Sequence, residues 1–288
     1  MRLNQFLARA GFGSRRACEE LIREGAVTIN GHRLRELATR VSAEDNVLVN
    51  GKPVKMPLPL VAILHKPPGY LCTSPESTDE RTIYDLLPAG WPRVVYVGRL
   101  DKDSEGLLVV TNDGNLSQRL THPSTKMRKT YIVTLDKEFD FALAPKMKKG
   151  ITIEEGFARM EDIYRVGPRT LKVVLTQGLK RQIREMFYKF GYEVKRLVRI
   201  QIGNLALEGL PAGQHRVLSQ ADVLRYFPTS GGPGKSGKPA RPRPAKVDKK
   251  PAAGDAEKPR FLRAPRARAT NSPGHPGKPK PKKETPHG

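Results

Sequence analysis

Residues 229–288 cannot build a hydrophobic core, which confines whatever folds to the first 228 positions. These 60 residues hold 12 Pro and 8 Gly, with Phe261 and Leu262 almost the only bulky apolar side chains. A segment with so little apolar surface to bury cannot offset the entropy lost on ordering, so it reads as a disordered tail. It carries 16 Lys and Arg against 4 Asp and Glu, a net of +12, leaving +11 of the chain's +23 on residues 1–228. Such an excess does not set a fold; it favours a polyanionic partner, nucleic acid foremost. The tail is then either a solubilising extension or a loose RNA-binding arm.

Other classes drop out quickly. Two cysteines, Cys18 and Cys72, cannot make a Cys-rich zinc site, and such sparse usage fits a reducing, cytoplasmic compartment. The first residues show no apolar stretch of a signal peptide, and no run reaches the 18 or so apolar residues of a membrane span. No metal or cofactor motif is visible; Gly11-x-Gly13 follows a helix rather than a strand, so it is no dinucleotide fingerprint.

Residues 1–57 read as a small module of two helices and short strands. Leu3, Phe6 and Leu7 recur at helical spacing until Gly11-Phe12-Gly13 breaks the pattern. Ser14 is placed to cap a second helix running through Glu24, with Gly25 as its stop. Val27 and Ile29 then alternate before Asn30-Gly31, and Val47 and Val49 before Asn50-Gly51; Asn-Gly is a strong hairpin-turn signal. All eight Lys or Arg residues in positions 1–50 are Arg, and Arg15 and Arg16 open the second helix. Cations there oppose the helix dipole, which makes sense if a phosphate docks at that terminus; a solvated arginine pair is the plainer alternative. Residues 1–50 resemble an S4 RNA-binding domain through Leu3, Ser14-Arg15-Arg16, Leu21, Gly25, Val27 and Asn30-Gly31. The resemblance implies that Arg15 and Arg16 bind structured RNA.

Residues 58–228 mix strands with helices without regular alternation, an α+β pattern. Strands are expected over Val61–Leu64, Val94–Leu100, Leu107–Thr111, Tyr131–Leu135, Leu171–Thr176 and Val198–Ile202. Asp101 follows one of these strands and opens the loop Lys102-Asp103-Ser104-Glu105-Gly106. A carboxylate at the mouth of a buried strand suits a site, although Asp is also a common strand-end residue. Tyr131 shares a strand face with Val133 and Leu135, which by itself indicates core packing. Lys180, Arg181 and Arg184 are expected on one side of a helix whose other side carries Ile183, Met186 and Phe187, by default a solvated basic face.

Taken together, Gly98-Arg99-Leu100-Asp101, Gly106-Leu107-Leu108 and Thr111-Asn112-Asp113-Gly114 resemble the signature of pseudouridine synthases that modify ribosomal RNA. The resemblance extends through Lys129-Thr130-Tyr131 and Gly178–Phe187, in the family's order, over about 225 residues. It implies an S4 domain followed by a catalytic domain with a mixed, largely antiparallel sheet. Asp101 would then be the nucleophile acting where the glycosidic bond of a uridine breaks. Tyr131 would stack on the uracil and take part in proton removal, and Arg184 would form a salt bridge to Asp101. Arg99 would help to displace the flipped base, unless it simply pairs with Asp103 or Glu105. Leu197 would pack under the base with Arg199 nearby, and Lys180 and Arg181 would contact RNA. The reaction calls for no metal and no organic cofactor.

Lys102-Asp103-Ser104, Gln177-Gly178-Leu179 and Phe190–Lys195 look most like the large-subunit synthase F subgroup. Lys180 stands where Asn is usual and Glu185 where Arg is common, which bears on the target and not on the reaction. Expected partners are ribosomal RNA or an assembly intermediate, with no membrane and a monomeric state. The rivals are the same chemistry on small-subunit rRNA or tRNA, and a non-catalytic RNA-binding assembly factor.

Overall fold

A computed structural model describes residues 1–228; the basic tail expected at 229–288 lies outside the described residues. The N-terminal module begins with α1 (Leu3–Arg9) and α2 (Arg15–Arg23). Strands β1 (Val27–Ile29), β2 (His32–Leu34), β3 (Val47–Val49) and β4 (Lys52–Pro53) follow in a sheet of order β2-β1-β3-β4. Asn30 and Gly31 have φ of 51° and 84°, and Asn50 and Gly51 have 50° and 76°. Positive φ at both central residues is the type I′ hairpin geometry that Asn-Gly favours. Leu3, Leu7, Cys18, Ile22, Val27 and Val49 close a small core of their own.

The larger part continues with β5 (Val61–Lys66), β6 (Val95–Val97), β7 (Glu105–Thr111), α3 (Gly114–Thr121) and β8 (Lys129–Leu135). Next come α4 (Ala144–Lys149), β9 (Ile151–Ile153), β10 (Gly156–Ala158), β11 (Asp162–Arg165) and β12 (Thr170–Leu175). The chain then forms α5 (Gln182–Lys189), β13 (Val194–Ile202), β14 (Leu205–Ala206), β15 (His215–Val217) and α6 (Gln220–Tyr226). Nine of these strands form one sheet, ordered β11-β12-β8-β13-β7-β5-β15, with β14 on β13 and β6 on β7. All pairings in it are antiparallel except β13 with β7. The fold is α+β with a mixed, largely antiparallel sheet.

Both faces of this sheet are covered. One core joins Ala62, Leu64 and Leu108 to Met147 of α4 and to Ile183, Met186 and Phe187 of α5. The other joins Val61, Ile63, Leu107 and Val109 to Leu116 and Leu120 of α3 and to Phe227 just after α6. A strand buried on both faces needs apolar residues at every position, which explains the unbroken runs Val61–Leu64 and Leu107–Val110.

The sheet parts at one place. On one edge β7 pairs with β5 from Gly106 to Thr111. On the other it pairs with β13 only at Val198–Glu105 and Arg199–Gly106, and then with β6 from Val109 to Thr111. Gly106 makes the close junction possible: a Cβ there would meet the Arg199 carbonyl oxygen at 2.3 Å, and its φ is +112°. Beyond this contact β13 and β7 diverge. Among the described residues no helix is long and apolar enough to cross a membrane.

Candidate active site

The gap between β7 and β13 forms a cavity of about 330 Å³. That is the lower end of the roughly 300–1,000 Å³ range for small-ligand sites, suited to a single nucleoside. Val97 and Val109 line one wall, and Tyr131, Leu197 and Arg199 line the other; Gly98–Asp101 and Gly178–Ile183 form the rim. Asp101, Arg99, Tyr131, Leu197, Arg199, Lys180 and Arg181 all come together here. They arrive from four separate stretches of chain.

Asp101 stands at the start of the loop into β7, half-buried. Its loop is held by buried cations. Lys66, the last residue of β5, is 0% exposed, and its ammonium donates to the carbonyls of Asp101 (3.0 Å), Lys102 (3.2 Å), Ser104 (2.7 Å) and its neighbour Pro67 (3.2 Å). Arg184 of α5 donates to the remaining loop carbonyl, that of Asp103, at 3.2 Å. Four successive carbonyls, 101 to 104, therefore point at two positive charges, and the backbone that carries Asp101 has little freedom. Burial draws Lys66 below the usual lysine value, against the opposing pull of Cys72, Asp103 and Asp101. Lys66 was not anticipated. The only hint was a lysine closing the otherwise apolar run Val61–Leu64 just before Pro67-Pro68-Gly69.

Arg184 corrects an expectation. Its salt bridge goes to Asp103 (3.2 Å), not to Asp101, while another of its nitrogens donates to the Val194 carbonyl at 2.7 Å. Tethered at both ends, the guanidinium meets the loop on the Asp103 side and acts on Asp101 only through space. Lys180 and Arg181 are corrected as well. Both precede α5 instead of lying along it, and Arg181 has φ of +50° at the residue before the helix. Arg181 pairs with Asp103 at 3.3 Å and Lys180 with Glu155 at 3.8 Å.

Asp103 is thus occupied by two arginines, and Glu105 is taken by Arg196 at 2.5 Å. Arg99 has neither as a partner; it stands exposed on the cavity lip. Tyr131 is 8% exposed, packed with Val133 and Leu135 yet lining the cavity, so its two readings are compatible. Leu197 is buried opposite Val133. Arg199 is 1% exposed and stitches the parting sheet, donating to the carbonyls of Leu107 (2.7 Å) and Arg99 (3.2 Å).

In the N-terminal module the Ser14 side chain accepts from the Ala17 amide at 3.1 Å, as a capping residue should. Arg15 and Arg16 are exposed in the first turn, where there is no acidic residue. Cys18 and Cys72 are buried and unpaired. Among the described residues no three His, Cys, Asp or Glu side chains are grouped to hold a metal.

A cleft with one rim carboxylate and several cations, in a chain that opens with a basic module, is suited to an enzyme acting on a polyanion. Comparison with known proteins sharpens that class. Residues 1–47 match the S4 domain model, and residues 60–189 match the model described as RNA pseudouridylate synthase. An RNA pseudouridine synthase of Aquifex aeolicus is 41% identical over 237 residues, covering 80% of this chain and 95% of the relative. The ribosomal large subunit pseudouridine synthase B of Bacillus subtilis is 34% identical over 230 residues, covering 78% and 94%. The dual-specificity RNA pseudouridine synthase RluF of Escherichia coli is 35% identical over 231 residues, covering 79% and 78%. A crystal structure of a pseudouridylate synthase superposes with a TM-score of 0.57 at 28% identity, covering 77% of this chain and 98% of that one. The chain belongs to the RNA pseudouridine synthase family: it is an isomerase with an S4 domain, and RNA is its substrate.

Proposed function

We propose that this enzyme isomerises a specific uridine of large-subunit ribosomal RNA, with Asp101 as the nucleophile. The observation that carries the Asp101 assignment is the clamped loop: Lys66 and Arg184 hold its carbonyls while the Asp101 carboxylate stands free at the cavity. A nucleophile held this way costs little reorganisation when the substrate arrives. The target nucleotide leaves its stack and enters the gap between β7 and β13. Tyr131 and Leu197 sandwich the uracil, and Arg99 takes the place that the base vacates, since a guanidinium both stacks and pairs with phosphate. Arg15 and Arg16 grip RNA phosphates at the start of α2, with Lys180 and Arg181 adding contacts at the rim. Residues 1–57 serve as the RNA-docking unit and residues 58–228 as the catalytic one.

Support for the large subunit comes from the Bacillus subtilis relative, whose name states that substrate. The Escherichia coli relative is named as dual-specificity, which favours a second RNA target as the alternative. The test is to map pseudouridines in RNA from cells lacking the gene and to complement them with variants. Loss at a large-subunit site, restored by the wild type and by Asp103→Asn but not by Asp101→Asn, is the expected result. Restoration by Asp101→Asn would sink the nucleophile assignment; loss confined to tRNA would move the substrate.

A further inference from the structure

Lys129 opens β8 two residues before Tyr131, so both project to the same side of the strand, and both line the cavity. Across the sheet Arg199 lies directly opposite Tyr131. Five cationic residues line this cavity, Arg99, Lys129, Lys180, Arg181 and Arg199, against the single carboxylate of Asp101. Lys180 and Arg181 are neutralised by Glu155 and Asp103, and Arg99 stands out in solvent. Lys129 and Arg199 are different: Arg199 is buried and Lys129 half-buried, and neither has a carboxylate partner among the described residues.

Their existing contacts do not compensate them. Lys129 is half-buried, and its ammonium makes one long hydrogen bond, 3.4 Å, to the Met127 carbonyl. Arg199 reaches two neutral carbonyls, and one of its terminal nitrogens is sealed from solvent with no partner at all. Burying a cation without an anion is unfavourable in the resting protein. Burial, then the charge of Arg199, holds Lys129 below the usual lysine value. The arrangement makes sense if an anion occupies the wall during the reaction.

We propose that Lys129 donates a hydrogen bond to a carbonyl oxygen of the detached uracil, with the fixed charge of Arg199 behind it, and so stabilises the base as an anion. This rests on the reading of the cleft as the uridine site. When the Asp101 carboxylate bonds to the ribose C1′ and the bond from C1′ to N1 breaks, the electron pair leaves with the base. The charge spreads from N1 to O2 and, through the C5–C6 double bond, to O4. No proton is taken up at that stage. In the closing step C5 bonds to C1′ as the bond between the Asp101 carboxylate and C1′ breaks, the C5 proton is lost and N1 is protonated, so the isomerisation balances. Negative charge on the carbonyl oxygens exists only between the two steps, and a cation there favours the intermediate over bound substrate. A backbone phosphate fits the wall less well: it remains tied to the RNA strand, whereas Lys129 lines the same cavity as Tyr131 from the same strand.

The test is single-turnover kinetics at saturating RNA, with either uridine or 5-fluorouridine at the target position, and with breaking of the glycosidic bond as the readout for both, because C5 of the fluorinated base has no proton to lose. Fluorine makes uracil a better leaving anion and so reduces its need for the wall. Lys129→Met is expected to slow the uridine reaction about 10²-fold. RNA affinity and its salt dependence should stay at wild-type values, and the deficit on 5-fluorouridine should be at least about tenfold smaller. Lys129→Arg restores most of the rate, and Lys129→Gln replaces the Met variant if thermal unfolding shows that the latter does not fold. Equal deficits on both RNAs overturn the proposal. So does a loss that appears as weaker binding with a salt slope reduced by about one, which assigns Lys129 to a phosphate. Wild-type activity in Asp101→Asn on the same RNA would instead refute the site reading itself.

Discussion

Lys66 offers the sharpest perturbation. Replacing it with Met keeps the aliphatic stem within its fully buried channel and deletes only the ammonium. Four carbonyls lie within 3.2 Å of that nitrogen, which has three N–H groups, so every donor is engaged and at least one is shared. At about 1.5–3 kcal/mol per hydrogen bond to a charged group, three donors contribute about 4.5–9 kcal/mol gross. Against this stands the cost of keeping an ammonium out of water, several kcal/mol, which Met no longer bears. A net loss of about 3 kcal/mol in the order of the 101–104 loop follows, equivalent to about 10²-fold in the population of the clamped conformer. Lys66→Met should therefore lower the single-turnover rate about 10²-fold while the bulk of the protein stays folded. Hydrogen exchange at the amides of Lys102 to Glu105 should accelerate in parallel. A folded Lys66→Met enzyme that turns over within twofold of wild type would refute the claim that this ammonium orders the Asp101 loop.

Gly106→Ala should cost about 2–6 kcal/mol, the sum of strain at positive φ and of overpacking against Arg199; urea unfolding would measure it, and an unchanged midpoint would dismiss the junction as sterically tight. The double variant Arg15→Ala with Arg16→Ala should leave thermal stability near wild type, because both side chains are exposed, while the salt slope of RNA binding falls by about two; an unchanged slope would remove these arginines from the interface.

What the sequence disclosed and what it withheld divide along the range of the interactions. Ser14 as a cap, the two Asn-Gly turns and the strands at the apolar runs of β5 and β7 follow from neighbours in the chain, and all are present as expected. The partner of Arg184 lies 81 residues away and depends on how α5 meets the loop, so Asp103 could not be told from Asp101 beforehand. Lys66 is silent in the sequence for the same reason: three of its four carbonyl partners lie 35 to 38 residues on, and backbone carbonyls leave no mark in residue identity. Arg181 was misplaced onto the helix because Lys180-Arg181 continues a basic pattern, whereas its left-handed backbone ends the loop there. The strand β13 begins four residues before the stretch that alternation marks, since Val194 and Leu197 sit across a register shift.

The two-residue contact between β7 and β13 has a consequence for how such an enzyme can change its target. The aperture of the cavity is set by where two main chains separate, with the Arg199 side chain tying across the gap. Substitutions along the walls alter the chamber's chemistry and leave its gauge alone. The rim segments, Gly98–Asp101 on one side and Gly178–Ile183 on the other, are free of that constraint except where cations pin the carbonyls of Asp101 and its loop. If the cleft holds the uridine as proposed, recognition of a new RNA can be written into the rim and the N-terminal arginines one residue at a time, while the width of the cleft stays constant.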